Sequence, residues 1–178
     1  MSANKTRIIP SRDALEALFS SLINQYGQQL YWHIRRIVVG HEDAEDVLQD
    51  TMINAYTHIN RLKDASNVRA WIYRIATNEA LQFLRRQTYL FQSIDTLASS
   101  LVVKMKEEAS PTASQIEILF QEALLQLPTI QRVAFNMHYY DELSYEEIAD
   151  ITGKSIGTLK TSYHYATKKI KNYIKQHA

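Results

Sequence analysis

The residues best placed for chemistry lie in SIGTLKTSYHYATKKIKNYI, residues 155–174. At helical spacing Ile156, Leu159, Tyr163, Ala166, Ile170 and Tyr173 recur on one face. That leaves Gly157, Thr158, Lys160, Thr161, His164, Tyr165 and Lys168 on the opposite face. Hydroxyl, imidazole and ammonium groups arranged this way can hydrogen-bond base edges and pair with phosphates, with the N-terminal residues reading bases and the lysines holding the backbone. Residues 151–178 carry six Lys and no acid, whereas DELSYEEIAD just before them (141–150) carries five acids. A chain with a formal net charge of only +1 thus segregates its charges sharply.

The flanking residues supply the frame for such a helix. Ser144 followed by Glu147 is a capping box, and Leu143 can staple against Ile148 across it. A short helix is therefore predicted from Tyr145 to about Thr152, with Gly153 as the left-handed turn residue and Ser155 capping the next helix. Two helices joined by a tight glycine turn form a helix-turn-helix. The plainer alternative is a helical hairpin with a solvated lysine face, in which Lys171 and Lys175 complement the helix dipole.

A second constellation lies in NVRAWIYRIATNEALQFLRRQ, residues 67–87. Trp71 and Tyr73 stand among Arg69, Arg74, Arg85 and Arg86, with the amide of Asn78 nearby. Arginine draws a phosphodiester backbone while an aromatic or amide group holds an unstacked base, at roughly 1–3 kcal/mol per stacked base. Arg69, Tyr73, Arg74 and Asn78 are predicted on the polar side; Trp71 is open between a core role and DNA contact.

A third group is HEDAEDVLQD, residues 41–50, with five acids and no Lys or Arg. Its outward Asp46, Gln49 and Asp50 would repel phosphate, so they face either a basic protein partner or water. The segment begins like a zinc-protease HExxH, but Glu45 stands where the second histidine is required. The six histidines lack ligand spacing, no glycine loop could cradle phosphate, and no nucleophile has a base at useful spacing. No catalytic residue, metal or cofactor is expected.

Only four Gly and three Pro occur in 178 residues, and apolar residues recur mostly every three or four positions. The expected fold is all-α: two small helical domains joined by a linker. Ser11 or Asp13 opens a first helix, which Gly27 breaks or bends; further helices cover Leu30–Val39, about 42–60 and Val68 to about 87. Residues 88–112 lack one sustained period and are assigned as a linker with transient or partner-induced order. Helices at about 113–126 and 128–140 precede the helix-turn-helix. The expected domains are residues 1–90 and 113–178, with 91–112 between them. Absent cysteine fits a reducing compartment. Neither a signal-peptide core nor a span of roughly 18 apolar residues is found, so a soluble, cytoplasmic protein without membrane insertion is expected.

At this level of detail the chain resembles the bacterial extracytoplasmic-function (ECF) sigma factors. DAEDVLQDTMINAY is similar to the family's region two helix that docks on the polymerase clamp, and NVRAWIYRIATNEALQFLRR to its promoter-melting and minus-10 segment. LPTIQRVAFNMHYYDELSYEEIADITGKSIGTLKTSYHYATKKI resembles region four, which reads the minus-35 element. The three motifs occur in the family's order over nearly the whole chain.

The resemblance implies that core RNA polymerase and promoter DNA are the partners. Asp46, Gln49, Asp50 and Ile53 would meet the beta-prime clamp, with the beta flap as a further contact. Arg61, Lys63 and Asn67 fall in the family's specificity loop, which with Arg69, Trp71, Tyr73, Arg74 and Asn78 would take the minus-10 strand. Ser155, Gly157, Thr158, Lys160, Thr161, His164, Tyr165 and Lys168 would read the minus-35 element. Ser162 and Tyr165 stand where many members carry Arg, which implies fewer charge contacts. Val68 and Met52 occupy positions that are often aromatic. An anti-sigma factor is a further family expectation.

Opening half a dozen base steps costs roughly 8 kcal/mol at about 1.4 per step, while stacking two bases returns roughly 2–6 kcal/mol. The free protein is therefore expected to bind promoters weakly and to melt them only with polymerase. A stand-alone helix-turn-helix repressor or activator would instead dimerise on two half-sites and bind duplex DNA tightly alone. An adaptor that binds polymerase but not DNA would tolerate charge reversal at Lys160 and Lys168.

Overall fold

The structure is a computed structural model that describes residues 11–62, 67–91 and 93–178. Every regular element among them is helical: α1 (Arg12–Val38), α2 (His41–His58), a 3-10 turn (Ile59–Arg61), α3 (Val68–Phe91), α4 (Ile94–Glu107), α5 (Gln115–Leu125), α6 (Thr129–Tyr139), α7 (Tyr145–Thr152) and α8 (Ile156–His177).

The two predicted stretches before Gly40 are one helix. Ser11 caps α1 by accepting from Ala14 N, and Gly27 lies inside it. α1 ends where Val39 takes φ 73°, a costly conformation for a β-branched residue. Its N–H still donates to Arg35 O at 2.9 Å, so the last turn stays hydrogen-bonded. Gly40 follows because a Cβ there would collide with the Asp43 carboxylate and the Lys104 ammonium, which pair across it at 2.6 Å.

Lys104 belongs to α4, a formed helix where a linker with transient or partner-induced order is expected. Ser93 caps this helix, and Leu97 and Leu101 are buried four residues apart, with Met105 packing partly buried another turn on. α4 packs on α3 and α5 and is tied at three points: Lys104 to Asp43, Arg35 of α1 to Glu108 at 2.8 Å, and Lys106 to Glu122.

α1, α2 and α3 pack mutually. Their core includes Leu30, Ile34, Ile37, Val47, Ile72 and Ala76. It continues without a break into Val133 and Met137 of α6, Leu143 of the turn that follows, Ile148 and Ile151 of α7, and Leu159 of α8. A second, smaller cluster of Leu124, Leu127, Phe135, Ala166 and Ile170 lies among α5, α6 and α8. The two helical groups therefore share one interface, built from α1 and α3 on one side and α6 and α7 on the other.

Candidate nucleic-acid and protein interfaces

The helix-turn-helix forms as its local chemistry dictates. Ser144 accepts from Glu147 N at 3.1 Å while the Glu147 carboxylate accepts from Ser144 N at 2.8 Å. Gly153 closes α7 with φ 70°, and Ser155 opens α8 by accepting from Thr158 N at 3.1 Å. Leu159, Ala166 and Ile170 are buried, which fixes the rotation of α8. Ser155, Gly157, Thr158, Lys160, Thr161, His164, Tyr165 and Lys168 are consequently all exposed on one surface. Lys160 extends toward the Tyr145 ring, 5.7 Å from its centroid.

On α2, Asp46, Gln49, Asp50 and Ile53 are exposed, Ile53 at 59%. Among the described residues neither Asp46 nor Asp50 makes an ion pair or hydrogen bond; Glu45 pairs with His41 and Asn54 donates to Glu79. Two uncommitted carboxylates beside an exposed isoleucine make an acidic patch with an apolar centre.

The α3 surface differs from expectation in one residue. Tyr73 is 1% exposed, because its spacing from Ala70, Ala76 and Thr77 puts it on the inner stripe, where its ring meets His33 of α1 edge-on. Burial, with Asp141 acting in the same direction, pushes its hydroxyl above the usual phenol range. Tyr73 is thus a core residue and not a free stacking platform. Trp71 is half-buried against the same core, and Asn78 is exposed. Lys63 and the side chain of Arg61 lie outside the described residues.

The other α3 candidates are already engaged. Arg69 Nη2 donates to Asp141 O at 2.7 Å and its Nη1 lies 3.4 Å from Glu147 Oε1. Arg74 Nη2 donates to Asp150 O at 2.7 Å and lies 2.8 Å from Asp150 Oδ1. Asn67 Nδ2 lies 3.5 Å from Asp150 Oδ2.

Beneath these pairs is a buried network that local sequence patterns do not reveal. Asp141 accepts from His33 Nδ1 at 2.7 Å and from Arg36 Nη1 at 2.9 Å. His33 Nε2 faces Thr77 Oγ1 at 2.9 Å. Arg132 of α6 donates to Ile37 O at 3.2 Å, meeting the negative end of α1, and burial pulls its guanidinium down to about 10. The concentration of acids in 141–150 is the one sequence signal that points to this network.

Comparison with known proteins assigns two parts of the chain. Residues 22–89 match the family model for sigma-70 region 2, and residues 117–170 that for sigma-70 region 4. The RNA polymerase sigma factor YlaC of Bacillus subtilis (strain 168) is 31% identical over 164 residues, covering 90% of this chain and 91% of that protein. The ECF RNA polymerase sigma factor SigW of the same organism is 26% identical over 180 residues, covering 96% of each. Among solved structures, the sigma factor RpoE in complex with the anti-sigma factor NepR, from Bartonella quintana, has a TM-score of 0.71 at 24% identity, covering 88% of this chain and 96% of that one. CnrH in complex with the cytosolic domain of CnrY has a TM-score of 0.65 at 20% identity, covering 92% and 91%.

Proposed function

This chain belongs to the sigma-70 family of RNA polymerase sigma factors, in its extracytoplasmic-function group, and from that premise we propose which surfaces perform promoter selection. A sigma factor directs core polymerase to promoters. The chemistry of RNA synthesis is the polymerase's, and this chain acts by binding, in the cytoplasm where polymerase works. α1–α3 form region two, α4 and the turn after it the connector, and α5–α8 region four.

The exposed N-terminal face of α8 enters the minus-35 major groove. Thr158, Thr161 and Lys160 reach base edges there, while Lys168, two turns on, meets phosphate. The acidic patch of Asp46, Gln49, Asp50 and Ile53 docks on a basic polymerase surface, the beta-prime clamp. Arg69, Arg74, Asn78 and Asn67, with the edge of Trp71, hold the melted minus-10 strand. An anti-sigma factor completes the set of partners, as in the RpoE–NepR complex.

The observation that carries this reading is the geometry of α8. Gly153, the Ser155 cap and buried Leu159 together leave a hydroxyl- and lysine-bearing face fully exposed at the start of a long helix. Fluorescence anisotropy of wild type and Lys160→Glu holoenzyme on a promoter fragment tests it. The variant is expected to lose sequence-specific binding while assembling with core normally. Unchanged promoter affinity would refute the assignment.

A further inference from the structure

We propose that the cleft bounded by α1, α4, α5 and α6 is a binding site for a small amphipathic anion, a carboxylate on an apolar body, with Arg132 as its charge partner.

The cleft has a volume of about 730 Å³ and lies between α1, the end of α4 with the turn after it, α5 and α6. Small-molecule sites run to about 300–1,000 Å³ and are mostly apolar, with a few fixed polar groups. The walls have that character: Trp32, Phe120, Tyr139 and Tyr140 supply rings, and Met105 and Leu124 aliphatic surface. Trp32 and Tyr139 are each half exposed, so ring surface is open to a ligand.

The polar groups of the lining set the sign of that ligand. Arg132 and Asn136 lie one turn apart on α6, and both line the cleft although their side chains are buried. Among the described residues the Arg132 guanidinium makes one hydrogen bond, from Nη2 to Ile37 O at 3.2 Å, and pairs with no carboxylate; its Nε has no acceptor. A buried cation answered only by a carbonyl is costly, and an anion beside it offsets that cost. The other two arginines of the lining are committed, Arg35 to Glu108 at 2.8 Å and Arg36 to Asp141 at 2.9 Å. Glu117, also on the wall, is held by Ser114 in the capping box of α5. The charge left unanswered in the cleft is that of Arg132.

Asn136 narrows the ligand further. Its Oδ1 is buried with no donor, so a carboxylate with an N–H or O–H close by satisfies both side chains. N-acyl amino acids have this pattern: an acyl chain for the aromatic wall, an N–H for Asn136 and a carboxylate for Arg132. None of these residues belongs to the faces assigned to polymerase or DNA, so the site is independent of that assignment.

The test is isothermal titration of the full chain with N-octanoylglycine and with its uncharged counterpart, N-octanoylglycinamide. One site is expected, with the carboxylate bound at least roughly tenfold more tightly than the amide. Arg132→Met should remove that preference and leave the melting temperature equal or higher, because an apolar chain replaces an unpaired buried charge. Ala113→Trp, which brings a ring into the cleft from the turn before α5, should abolish binding of both probes.

No heat of binding at millimolar ligand, equal affinity for the two probes, or binding unaffected by either substitution would each overturn the proposal. Concentration-dependent dimerisation that Ala113→Trp abolishes would make a second copy of the chain the occupant, and would overturn it too.

Discussion

Arg74 on α3 and Asp150 on α7 lie 76 residues apart in the chain and meet twice: Arg74 Nη2 is 2.8 Å from Asp150 Oδ1 and donates to Asp150 O at 2.7 Å. One turn earlier on each helix, Arg69 meets Glu147. This parallel pairing explains why the acids of 141–150 stand apart from the lysines of 151–178. The supporting helix faces the arginines of region two and the recognition helix faces outward.

The acidic patch on α2 should carry polymerase affinity and little stability. Asp46→Arg/Asp50→Arg is expected to weaken core binding by at least roughly 100-fold, since reversed charges oppose a basic partner. The melting curve should move by less than about 0.5 kcal/mol, because both positions are exposed and unpaired. Surface plasmon resonance against immobilised core polymerase, beside a thermal melt, reads both quantities.

Lys168 lies about three turns into α8 and is exposed, so its contribution should be to phosphate. Lys168→Ala should weaken holoenzyme binding to promoters and non-promoters alike, and lower the slope of log K against log salt by about 1. A salt titration on two unrelated fragments separates this from Thr161→Ala, which should act on the promoter alone.

The caps of the two helix-turn-helix helices should contribute to stability at the level of ordinary N-caps. Ser144→Ala and Ser155→Ala are each expected to cost about 1 kcal/mol, or about 2–4 °C in melting temperature for a chain of this size. Ser155→Gly should cost only a few tenths of a kcal/mol. Differential scanning calorimetry of the three variants gives the comparison.

Glu117 closes the capping box of α5. Hydrogen bonds from the Ser114 backbone and hydroxyl hold its carboxyl below the ordinary value of 4.5. A depressed folded-state pKa means stabilisation that is complete above 4.5 and is lost as pH falls through the lower folded value. The melting-temperature difference between wild type and Glu117→Gln should therefore shrink on acidification. A difference that grows toward low pH would contradict the assigned cap.

How much of this was legible in the sequence depends on range. The helix-turn-helix was legible to the residue because its caps and glycine act within four positions: Ser144 with Glu147, Gly153, and Ser155 with Thr158. The exposed faces of α2 and α8 followed from the same periodicity. α4 was missed because its inward stripe is only Leu97, Leu101 and Met105, too short to stand out beside Val102 and Val103. Tyr73 was misplaced because Arg69 and Arg74 flank it in sequence, although three- and four-residue spacing sets it with Ala70, Ala76 and Thr77. The pairing of Asp141 with His33, 108 residues away, lies beyond the reach of helical periodicity; only the acid-rich run 141–150 hints at it.

The central claim, that this chain directs polymerase to promoters through the α2 and α8 faces, is tested most directly by run-off transcription with purified core polymerase on genomic DNA of the source organism. Wild type should give transcripts with defined start sites. Asp46→Arg/Asp50→Arg should lose them through failed core binding, and Lys160→Glu/Thr161→Ala through failed promoter binding. No transcripts from wild type, together with tight duplex binding by the free protein at physiological salt, would contradict the account.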